Sequence, residues 1–165
     1  MTPIKLAAVA LLAACLGPVH AVAEEAEPSP PPFKPSLSEL MILAQAHHAK
    51  VWLAGNARNW PLAAYQIEEL RKVIVRIATR VREPEEEDIP IGPLIEATIG
   101  TTIGAVETAV LERNGAQFTA AFDVLTAACN RCHWSMKKDF IVIQRPGSSA
   151  FPNQSFAPKG SKAGK

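Results

Sequence analysis

From residue 36 to about residue 136 the apolar positions return at alternating steps of four and three, the period at which side chains of an α-helix share one face. Leu37, Met41, Ala44, His48, Val51 and Gly55 form the first such stripe. Ser36 followed by Glu39 is a capping box ahead of it, so a helix is expected from there to about residue 57. Pro61 suits the first turn of a second helix, whose stripe is Ala63, Ile67, Leu70, Ile74, Ile77 and Val81. A third stripe, Ile95, Ile99, Thr102, Val106 and Ala109, follows Pro90 and Pro93, and Asn114-Gly115 is read as its terminator. The fourth comprises Phe118, Phe122, Leu125, Cys129, Cys132 and Met136. The one β-branched run, Phe140-Ile141-Val142-Ile143, is too short and isolated to build a sheet. The expected fold class is all-α: four amphipathic helices on short connections, packed as an antiparallel up-down-up-down four-helix bundle with an irregular C-terminal extension.

The pattern breaks at both ends. Lys5 and the apolar residues 6–17 read as a secretory signal, too short to span a bilayer comfortably, with Ala21-Val22-Ala23 as the small-x-small site that places cleavage before Glu24. Leu12-Ala13-Ala14-Cys15 is a rival lipobox, which would leave a lipid anchor on Cys15 and a membrane-tethered lipoprotein. Residues 24–35 are Glu-, Ala- and Pro-rich and read as an extended tether; the domain is residues 36–140. The acidic run at residues 83–88 ends the second helix and reads as a solvated connector, with a docking patch as its functional alternative. In the tail, residues 141–165, the start is expected to pack on the bundle and the Gly-, Ser- and Lys-rich last part to be disordered. Gly100 and Gly104, one turn apart, would allow either the approach of a flat group or a plain helix contact.

A formal charge of +1 gives no electrostatic pull toward nucleic acid or an anionic membrane. The chemistry is in Cys129-Asn130-Arg131-Cys132-His133, the C-x-x-C-H signature of haem c attachment. Two thiols one helical turn apart reach the two vinyl groups of one porphyrin edge, and the adjacent His133 is placed to bind the iron. Zinc would need another ligand pair, and no Cys remains beyond Cys15. A thioredoxin-type pair should follow a strand and open a helix, whereas this one lies deep in a helical pattern. A disulfide across two residues closes too short a loop to stabilise much.

In an antiparallel bundle the start of the first helix lies beside the end of the fourth, so the iron's other axial ligand should come from the first helix. Met41 leads, since a thioether raises the potential of the iron; filling the core is its plain alternative. His48 is the next candidate, and His47 points further round. Trp134 either shields the ring, marks a docking surface or simply packs.

The capped first helix with an early Met41 and the C-x-x-C-H near the end of the fourth resemble the class II c-type cytochromes, cytochrome c′ and its low-spin relatives, over roughly residues 36–140. In that family a methionine on the first helix gives a six-coordinate electron carrier, and a non-ligating residue there leaves a five-coordinate haem that binds NO or CO. The resemblance implies a periplasmic monohaem electron-transfer protein with one covalent haem c, bound by Cys129, Cys132, His133 and Met41. It would serve redox partner proteins and have no substrate of its own. Related bundles often pair through their first two helices, and the sequence leaves open whether this chain forms such a homodimer. An enzyme of peroxidase type would need an open site and a distal acid-base group, for which only His47 or His48 serves. The tail after Phe140 departs from the family.

Overall fold

The computed structural model describes residues 33–80 and 90–161. The signal, Cys15, Val81, the acidic run and the last four residues lie outside them. Four helices account for the regular structure, with no strand among the described residues: α1 Leu37–Asn56, α2 Trp60–Thr79, α3 Ile91–Leu111 and α4 Gly115–Ser135.

Each start has a side-chain cap that satisfies an otherwise orphan amide, except α3, which follows Pro90 without one. At α1, Glu39 N–H donates to Ser36 Oγ (3.3 Å) and Ser36 N–H to Glu39 Oε2 (2.8 Å), holding the Glu39 carboxyl below its usual range. Asn59 Oδ1 accepts from Leu62 N–H at α2, and Asn114 Oδ1 from Gln117 N–H at α4. Asn114 thus begins α4 and does not end α3; α3 is closed by Arg113, whose φ of 54° is left-handed. The α1–α2 turn repeats the device, with Arg58 at φ 57° ahead of the capping Asn59.

α1 packs chiefly on α2, and α4 on α3, with further contacts between α2 and α3 and between α1 and α4. Every inward position expected on α3 is buried, Thr102 as a polar residue among apolar ones, and Ile103 and Val110 join them. On α1, Leu40 is buried while Leu37 and Met41 are only partly covered. Near the α1–α2 turn, Trp52, Trp60, Phe118 and Phe122 fill the interior, their ring centroids 5.1–6.0 Å apart in successive pairs. α1 comes so close there that a Cβ on Gly55 would lie 2.1 Å from Phe118 Cζ. At the other end Gly92 brings the start of α3 onto α2, where a Cβ would meet the Ala78 carbonyl oxygen at 2.7 Å.

Glu96–Gly100 of α3 forms a π-turn. A wide turn of more than four residues absorbs the drift that four-residue steps accumulate on a 3.6-residue helix, so Ile95, Ile99 and Ile103 can all face one cavity. Gly100 and Gly104 border open space, so no group packs closely on them.

The tail packs further than its composition suggests. Arg145 pairs with Asp123 of α4 through its Nε and Nη2 and lies 4.5 Å over the Trp52 ring. Phe156 is buried, and Asn59 Nδ2 donates to the Ala157 carbonyl (3.1 Å) at the far end. The segment therefore runs along the α1–α4 side, from the motif to the opposite turn.

Candidate functional site

The end of the molecule away from the aromatic cluster is hollow. A cavity of about 510 Å³ opens there, within the roughly 300–1,000 Å³ typical of sites for small molecules and cofactors. Its walls come from the early turns of α1 (Leu37, Met41, His48), the late turns of α2 (Leu70, Ile74), the first half of α3, and Cys129, Cys132, His133 and Met136 of α4. Ile141 and Ile143 of the tail close one side. Ser38, Gln45 and Lys138 are among the few polar side chains on this otherwise apolar lining.

The four-three spacing of α4 puts the motif here. Cys132 is buried and Cys129 partly buried, both as free thiols. Burial, aided by the neighbouring Cys132, pushes the Cys129 thiol up to about 11. Burial raises the Cys132 thiol too, opposed by a hydrogen bond with Thr98. Nucleophilic cysteines need the opposite shift, toward thiolate. Nor does any group of three or more His, Cys, Asp or Glu side chains converge among the described residues.

His133 Nδ1 donates to the Ile141 carbonyl oxygen at 2.9 Å. A carbonyl only accepts, so the proton sits on Nδ1 and Nε2 keeps its lone pair for an electrophile or metal.

Met41, partly buried, faces the same cavity from α1. His48 also reaches the lining, but its Nε2 is engaged. The Thr126 hydroxyl donates to the Phe122 carbonyl (2.8 Å) and therefore accepts from His48 Nε2–H (2.9 Å). The ring packs on Phe122 at 4.5 Å, and burial lowers its pKa to about 4. This is the geometry of a neutral core histidine. His47 turns to α2, where its Nδ1 donates to Gln66 Oε1 at 2.8 Å, and it is not on the lining. Trp134 packs on nothing substantial; it is 73% exposed beside the motif.

Met41, His48, Cys129, Cys132 and His133, singled out in the sequence, all reach this lining, whereas the residues that hold its outer wall were missed. Asn130, inside the motif, grips the tail at two points: Nδ2 donates to the Ile143 carbonyl (2.9 Å) and Ile143 N–H donates to Oδ1 (2.8 Å). The only signal for this in the sequence is an amide side chain at a half-buried helical position.

Comparison with protein-family models, curated proteins and solved structures finds no match to this chain.

Proposed function

We propose that this chain is an exported, periplasmic monohaem c-type cytochrome of the class II kind, an electron carrier whose four helices form an antiparallel up-down-up-down bundle. One observation carries the reading: two thiols one turn apart, the adjacent imidazole with Nε2 available, and the Met41 thioether all line a single apolar cavity of cofactor size. The bundle topology is supported by which parts of the helices share that cavity: starts of α1 and α3, ends of α2 and α4.

The residues present fit a haem c. Cys129 and Cys132 would hold it through thioether bonds. His133 Nε2 and the Met41 sulfur would bind its iron, with His48 the alternative to Met41. A bound haem supplies an iron that cycles between ferric and ferrous states. Leu70, Ile74, Ile95, Ile99 and Ile103 exclude water and keep the local dielectric low, a lever on the potential. Met41 is favoured over His48 because the imidazole is already committed to Thr126.

The electron-carrier reading requires that both His133 and a residue of α1 would bind the iron. The reduced protein should therefore show a low-spin visible spectrum and fail to bind CO promptly. Met41→Ala should create CO binding. Prompt CO binding by the unaltered protein would replace the electron carrier with a five-coordinate gas-binding haem. Unchanged spectra in Met41→Ala would move the ligand to His48.

A further inference from the structure

Three residues of α4, Asp123, Asn130 and His133, meet three alternate residues of the tail, Arg145, Ile143 and Ile141, in antiparallel order. The lengths agree. Ten residues of helix advance about 15 Å, and four steps of extended chain about 13 Å. Ile141 and Ile143 both reach the cavity lining, Ile143 half-buried and Ile141 45% exposed, while Val142 between them is 69% exposed. Asn130 fixes the register at Ile143, two residues from the carbonyl that receives His133. Arg145 anchors the next step on Asp123 and Trp52.

We infer that residues 141–145 are a proximal strap that sets the donor strength of His133, and that Asn130 is its positioning residue. The inference rests on the haem reading above. A backbone carbonyl on Nδ1–H pulls the proton away from the ring, which makes Nε2 a stronger donor and favours ferric over ferrous iron. The same carbonyl fixes the ring's rotation. Ile141 and Ile143 keep water from that side of the cavity.

The test compares the full-length exported protein with Asn130→Ala and with a chain ending after Phe140. Three quantities are read: covalent haem retained after denaturation, midpoint potential, and hydrogen exchange at the Ile143 amide. Both variants should keep covalent haem and shift to a more positive potential, the shortened chain at least as far. Asn130→Ala in the shortened chain should add no further shift. The Ile143 amide should exchange faster in full-length Asn130→Ala than in the parent. Covalent haem with an unaltered potential in both variants would overturn the strap alone, as would an Ile143 amide that exchanges equally fast with and without Asn130. Absence of covalent haem in the unaltered protein would overturn the haem reading and, with it, this inference.

Discussion

At the residue scale, the two histidines on the cavity wall are set apart by what their nitrogens touch. His133 gives its Nδ1 proton to a carbonyl and keeps Nε2 open; His48 spends Nε2 on Thr126 and lies under Phe122. That burial has a consequence for acid stability. The unfolded chain protonates His48 near the ordinary 6.5, whereas the folded chain resists until about 4. Between those values the unfolded state binds more protons, so stability falls as pH drops through the window, by up to about 3 kcal/mol. Urea unfolding at several pH values between about 7 and 4 checks this. His48→Leu should flatten the slope whatever it does to absolute stability. An equally steep slope in the variant would assign the acid sensitivity elsewhere. None of this partnering is visible in the sequence, where His48 is simply an imidazole on an apolar stripe. Its acceptor, Thr126, lies 78 residues away.

At the element scale, helical period carried most of what was legible. The four stripes were readable because each helix buries one face, and the steps of four and three survive whatever the neighbours are. What period does not encode is an adjustment within an element or a partner for a segment lacking period. The π-turn of α3 is invisible because isoleucines stand at all the positions it re-aims. The tail has no repeat, and specific hydrogen bonds hold it, so composition alone made it look looser than it is. Asn114-Gly115 was read as an ending because both residues favour turns, yet Arg113 had already closed the helix. Gly55 offers a direct check on packing between elements. Its missing Cβ leaves room for Phe118, which Trp52, Trp60 and Phe122 surround, so the ring cannot swing aside. Gly55→Ala should destabilise by about 1–3 kcal/mol through overpacking, read as a lower urea midpoint. Combining it with Phe118→Leu should recover part of the loss, whereas independent, additive losses would contradict the contact.

At the scale of the whole molecule, one end is filled by aromatic rings and the other is hollow, and His48 sits on the boundary. α3 is long and apolar enough by composition to cross a membrane, but Ile95, Ile99, Ile103, Val106, Ala109 and Val110 are in the core. Its hydrophobicity serves the cavity wall and the interior together. A hollow end walled by isoleucine and leucine leaves apolar surface that none of the described residues covers, and holding such surface against water is costly. The motif, the cavity and Met41 all bear on one claim, that Cys129 and Cys132 hold a haem by thioether bonds. The mass of the protein purified from a host that attaches haem c, taken after denaturation, tests it most directly. The account predicts the mature chain plus one haem, with no thiol left to alkylate on either cysteine. A bare polypeptide mass, with Cys129 and Cys132 both open to alkylation, would contradict it.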